Sequence, residues 1–241
     1  MIDTHCHLDL PAFDADRDAV VARAQAAGVT GILVPAIRPR TWDALVELVR
    51  GTSCLRHAIG IHPQIVPDLE PAELAGLEQR LADACSTAIA VGECGLDGST
   101  SDRELQALIF RTHLRVARAL DRPLVIHVLR AHDLAPRILR EEGPVRGILH
   151  SYSGGADLVP VYAALGMAFS FAGPVTYTNA RKPIEAARVI PAELLLVETD
   201  APDQAPAAHR GSRSEPAFIV EVVAALARVT GREPSEVAAL T

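Results

Sequence analysis

Lysine is almost absent: of 23 basic residues set against 30 acids, Lys182 alone is a lysine, and the formal charge is −7. That balance excludes an overall basic nucleic-acid binder, so an anionic substrate has to be held by local positive charge, from arginines or a bound metal. No apolar run approaches the roughly 20 residues that span a bilayer. No basic segment followed by an apolar one follows Met1, so a secretory signal is not expected and the location reads as cytoplasmic. The four cysteines, Cys6, Cys54, Cys85 and Cys94, are too widely spaced for a CxxC pair and read as buried thiols. Neither GxGxxG, GxxxxGK[ST] nor GxSxG occurs, so nucleotide-cofactor and serine-hydrolase readings lose their usual anchors.

What is present is a large core. The 241 residues are 49% hydrophobic and 22% charged, and a chain of this size buries on the order of 70% of its unfolded surface. No linker separates halves of different composition, so one domain over 1–241 is expected. Eight short apolar runs, at 1–4, 31–35, 57–61, 88–92, 124–126, 147–149, 167–171 and 194–197, suit strands buried on both faces. Amphipathic segments between them predict helices over 15–27, 41–49, 71–85, 102–120, 131–142, 156–165, 183–189 and 216–229. Gly28 after the first helix, Thr41 before the second, and Ser101 with Glu104 as a capping box supply start and stop signals. Eight β-α units in this length predict an α/β fold, a TIM (β/α)8 barrel.

Metal-ligand residue types recur at or just past the predicted strand ends: His5 and His7 in DTHCHLD, His62 in GIHP, Glu93 in VGECGLD, His127 in PLVIH, His150 in GILH and Asp200 in LLLVETDAP. In a TIM barrel those ends open onto one face, where the active site lies. The spacing of two puts His5 and His7 on one side of a strand, aimed at a common point. Imidazoles with carboxylates suit Zn²⁺ and other first-row ions, and carboxylates with water also suit Mg²⁺ or Mn²⁺. Five histidines and two acids exceed what one tetrahedral ion uses, which points to two ions sharing a carboxylate. The other histidines scatter: His57 at a strand start, His113 mid-helix, His132 at a helix start and His209 in a late loop, and these read as structural. Arg38, Arg130, Arg210 and Arg213 fall on predicted active-face loops.

Assembled in order, DTHCHLD, GIHP, GECGLD, the IH of VIHVLRAHD, LHSYSGG and ETDAP resemble the motifs of the TatD family of metal-dependent hydrolases, related to the amidohydrolase superfamily. The resemblance implies a TIM barrel with up to two divalent ions: His5, His7, Glu93 and Asp200 around the first, and Glu93, His127 and His150 around the second. His62 would face the substrate phosphate or an incoming water. The family is associated with deoxyribonuclease activity, including removal of nucleotides from the 3′ end of DNA. Departures from the family pattern are Gly98 and Ser99 after GLD, Leu129 with Arg130 next to it in place of an HxR arginine, Ser214 near Arg213, and an end at Thr241 short of a further Asn and aromatic.

The expectation is therefore two-metal hydrolysis of a phosphodiester at a DNA end, with Asp200 as proton acceptor and Glu93 and His62 as catalytic partners. Arg130, Arg210 and Arg213 would hold flanking phosphates, and the chain would act as a monomer without nucleotide cofactor or membrane. The alternative keeps the metals and changes the bond, to an amide, ester or lactone of a small molecule. A non-catalytic metal- or partner-binding barrel would be expected to have lost a ligand, and none is missing.

Overall fold

A computed structural model describes every residue from Met1 to Thr241. Eight parallel strands form one sheet in chain order: β1 Ile2–Asp3, β2 Gly31–Pro35, β3 Leu55–Ile59, β4 Ala90–Asp97, β5 Leu124–Leu129, β6 Gly147–Leu149, β7 Met167–Phe171 and β8 Leu195–Val197. The helices are α1 Arg17–Ala26, α2 Trp42–Arg50, α3 Pro71–Leu74, α4 Leu77–Ala84, α5 Arg103–Ala119, α6 Ala135–Glu142, α7 Val159–Ala163, α8 Arg181–Val189, α9 Ile219–Thr230 and α10 Pro234–Leu240. Strand order equal to chain order, with helices between parallel strands, is the TIM barrel arrangement. No helix is long and apolar enough to cross a membrane.

The chain packs as two compact units. The first comprises Met1–Val34, His150–Pro160 and Ala168–Thr241. Within it α9 buries Ile219, Val222, Val223 and Leu226, the one-sided spacing of an amphipathic helix, and stops at Gly231, whose φ of +70° is left-handed. The first and last strands meet here: Thr4 N donates to Val197 O at 3.2 Å, Asp200 N to His5 O at 2.9 Å and His7 N to Ala201 O at 2.8 Å.

The second unit comprises Pro35–Leu149 and Val161–Met167. Its longest helix, α5, buries Ile109, Phe110, His113, Leu114, Val116 and Ala117. His113 is fully buried; Nδ1–H donates to Ile109 O at 2.8 Å and Nε2 accepts from Ile61 N at 3.0 Å. Both ring nitrogens are satisfied by the neutral form, and burial pushes the imidazole down to about 4. The structural reading of this histidine is the observed one. β4 and β5 approach closely because Gly95 has no side chain: a Cβ there would lie 2.0 Å from His127 O, and φ is +133°.

Several boundaries differ from expectation. β4 continues past Gly92 to Asp97 through a shift of register between Val91 and Cys94, so Glu93 lies inside the strand instead of at its end. β5 likewise runs on to Leu129, enclosing His127, and β3 starts at Leu55, which makes His57 a mid-strand residue. The 71–85 helix is broken because Gly76 is left-handed, with φ +62°. The 131–142 helix begins only at Ala135, and 156–165 divides into a 3₁₀ turn and the short α7. Asp102, at φ +60°, caps α5 without a side-chain bond, so the Ser101–Glu104 capping box does not form. All four cysteines are buried, and Lys182 is exposed on α8.

Two measurements check this packing. A histidine held neutral contributes stability that is complete above its unfolded pKa and lost as pH falls toward the folded value, so His113 should cost the fold about 3 kcal/mol between pH 6.5 and 4. His113→Phe should lose roughly 1–3 kcal/mol at pH 7, by leaving the Ile61 amide unsatisfied, and should show a shallower acid-side decline; urea unfolding of both proteins at pH 7 and 4.5 gives the difference. Gly95→Ala should destabilise by about 3 kcal/mol or more, through the clash and the left-handed backbone together, as read by the same denaturation.

Candidate metal centre

In the first unit, alternation along the chain leaving β1 points His5 and His7 the same way. Their Nε2 atoms are 3.1 Å apart, and each lies 3.6 Å from Asp200 Oδ1. All three residues are buried. An ion with N and O ligands at 2.0–2.2 Å in tetrahedral geometry has donor–donor edges of about 3.4 Å, so this triangle has the size of one face of such a site. His5 also stacks on His150, with ring centroids 3.9 Å apart. His150 Nδ1 is 3.5 Å from Glu198 Oε1, and that same oxygen accepts from Ser151 N at 2.5 Å. Gln204 Nε2 donates to the other oxygen of Asp200.

In the second unit, His62 Nε2 is 3.0 Å and His127 Nδ1 3.2 Å from Glu93 Oε1. Two further contacts assign the tautomers. His62 Nδ1 accepts from Gln64 N at 3.0 Å, so its proton sits on Nε2 and points at Glu93. His127 Nε2 meets Asp97 Oδ2 at 3.1 Å, and a carboxylate only accepts, so that nitrogen carries a proton and, in the neutral ring, Nδ1 turns a lone pair toward Glu93. A lone pair facing a carboxylate oxygen at this distance suits a cation between them, whereas His62 in this form is a donor. The donor chemistry therefore fits divalent ions at His5, His7 and Asp200, and at Glu93 and His127.

Asp97 is itself fixed from several sides: Ser99 N donates to it at 2.8 Å and Gln64 Nε2 at 2.9 Å, in addition to His127. Burial alone would raise its pKa, but the bonds from His127, Ser99 and Gln64 outweigh that and hold it below the usual carboxylate range. A carboxylate behind a ligating histidine locks ring orientation and raises basicity. Asp97 and Glu198 stand in that way beside His127 and His150, both candidate ligands, and each lies inside one of the sequence motifs. Cys6 and Cys94, the neighbours of ligand-type residues, are buried with thiols pushed up, and they stand apart from both groups.

The arginines are placed differently from one another. Arg38 is paired with Glu73 at 3.0 Å, and Arg213 with both Asp16 oxygens at 2.7 and 2.8 Å. Arg210 lies over the Tyr177 ring, 5.0 Å from its centroid. Arg130 directly follows β5 with a left-handed φ of +51°. His209 stacks on Phe218 at 3.7 Å and reaches Glu221 at 2.7 Å, and His132 bonds the Tyr162 hydroxyl, in keeping with structural roles.

Residues 2–241 match the family model described as TatD related DNase. The chain is 34% identical over 238 residues to YjjV of Escherichia coli K12, covering 98% of this chain and 92% of that protein. It is 33% identical over 245 residues to YabD of Bacillus subtilis, covering 100% and 95%. Both are named uncharacterized metal-dependent hydrolases. The crystal structure of E. coli YjjV, a TatD homologue, superposes with a TM-score of 0.92 at 31% identity, over 100% of this chain and 94% of that one. A TatD family hydrolase from Entamoeba histolytica shares the fold at 19% identity, with a TM-score of 0.85. With a full-length match of sequence and fold, and donor groups built from the family's motifs, the chain belongs to the TatD-related DNase family of metal-dependent hydrolases.

Proposed function

We propose that this protein hydrolyses phosphodiester bonds of DNA at a chain end, with up to two divalent ions held by His5, His7, Glu93, His127, His150 and Asp200. The observation that carries the reading is the triangle of His5, His7 and Asp200, a buried set of lone-pair donors with the spacing of a coordination site. Divalent ions bound there would supply Lewis acidity, lowering the pKa of a coordinated water and offsetting charge on the phosphate. The family resemblance carries Glu93 into both ligand sets.

The remaining roles fall to the chain's own groups. Asp200 would accept the proton of the attacking water, since its carboxylate lies among the ligands and is steadied by Gln204. His62, with its proton on Nε2, would donate to a phosphate oxygen in place of Glu93. Arg130 and Arg210 would grip flanking phosphates. Arg213 contributes less to that grip, because its guanidinium is bound to Asp16.

The test is a cleavage assay on single- and double-stranded DNA with added Mg²⁺, Mn²⁺ or Zn²⁺. Chelation should abolish turnover, and Asp200→Asn or Glu93→Gln should slow it by about 100-fold or more. KM for DNA should rise steeply with salt as phosphate contacts are lost. Equal cleavage by the variants would overturn the reading. Salt-insensitive hydrolysis of a neutral ester or amide, without DNA cleavage, would replace it with the acyl-transfer alternative.

A further inference from the structure

Six residues other than glycine have left-handed backbone: Asp102, Asp121, Arg130, Ser151, Asp200 and Gln204. Three of them, Ser151 (φ +42°), Asp200 (+50°) and Gln204 (+51°), are joined by side-chain hydrogen bonds. Such conformations are strained and persist where surrounding contacts fix them. The bonds run in one direction. Ser151 Oγ donates to Gln204 Oε1 at 2.7 Å, and Gln204 Nε2 donates to Asp200 Oδ2. The amide can be oriented only this way, because a carboxylate offers no proton and the serine hydroxyl supplies one. Ser151 also donates its backbone N–H to Glu198 Oε1, the oxygen that faces His150. One residue thus supports two ligand-type side chains from behind.

We propose that Gln204 is a positioning residue for Asp200: by holding Oδ2, it turns Oδ1 toward His5 and His7, and Ser151 fixes Gln204 in that pose. A neutral amide suits the task. An arginine or lysine at Gln204 would neutralise the carboxylate and compete with the ion, while an acid would repel it. A donor without charge orients Asp200 and leaves its negative charge for the cation. This inference rests on the reading of His5, His7 and Asp200 as an ion site.

The experiment titrates Mn²⁺ and Zn²⁺ into the metal-stripped full-length protein by calorimetry, with His7→Asn marking which bound equivalent belongs to this group. Gln204→Gly removes the side chain and also relieves the left-handed backbone. It should lower affinity for the marked ion by about 10- to 100-fold, with no fall in the melting temperature of the metal-free protein. Ser151→Ala should lower affinity less, and the double variant no further than Gln204→Gly alone, because Ser151 acts through Gln204. Unchanged affinity in Gln204→Gly, additive losses in the double variant, or a lost affinity accompanied by a lower metal-free melting temperature would each overturn the inference while leaving the ion site standing. A wild-type protein that binds no ion at the marked position would overturn both.

Discussion

The carboxylate of Asp3 accepts from Thr199 N at 3.0 Å, from Thr199 Oγ1 at 2.5 Å and from His5 N at 3.2 Å, bridging segments 196 positions apart. Burial pushes this acid up to about 7, against the opposite pull of those bonds. Its placement in the core is costly, and it persists because three donors would otherwise be left buried and unsatisfied. What it secures is the seam between the first and last strands. His5, His7 and Asp200 all sit on that seam, aligned by the His5 O–Asp200 N and His7 N–Ala201 O bonds. The separation between these three side chains is thus set by main-chain pairing, which a flexible loop could not do.

Electrostatics follow from the same economy of residues. Several arginines are tied to acids and offer no free positive charge: Arg23 to Glu215, Arg111 to Glu141 and Glu142, Arg115 to Glu78, Arg213 to Asp16. These pairs knit helices and loops, and at the surface each is worth little. They leave the donor groups acidic and imidazole-rich, an environment that attracts cations and not phosphates. A divalent ion held there would reverse that local sign.

The barrel and the donor types were legible because both are written in local patterns. Buried parallel strands are short continuous apolar runs, and β2, β6 and β7 fall where those runs do. Strand ends were less legible where polarity misleads: Glu93 and His127 looked like the residues after a strand, yet they lie within one, since a barrel lumen can take polar groups. Gly76 broke a helix that periodicity joined, and α10 went unseen because its short run lacks a strong apolar stripe. The partners of the candidate ligands were the least legible. Asp97, Glu198 and Gln204 are common surface residue types, and only three-dimensional placement distinguishes an acid or amide that stands behind a histidine or aspartate from one that faces water.

The buried cysteines and the lone exposed lysine have a practical consequence. With Cys6 and Cys94 fully inside and Cys85 pushed up to about 12, maleimides and mild oxidants meet no ready thiolate at these three positions, and Cys54, buried but 8% exposed, is the most accessible of the four. Amine-directed reagents find Lys182 and the N-terminus and no other lysine. With Cys54 replaced, one cysteine introduced on an exposed helix would give a fluorophore or spin label a single attachment point in the native fold.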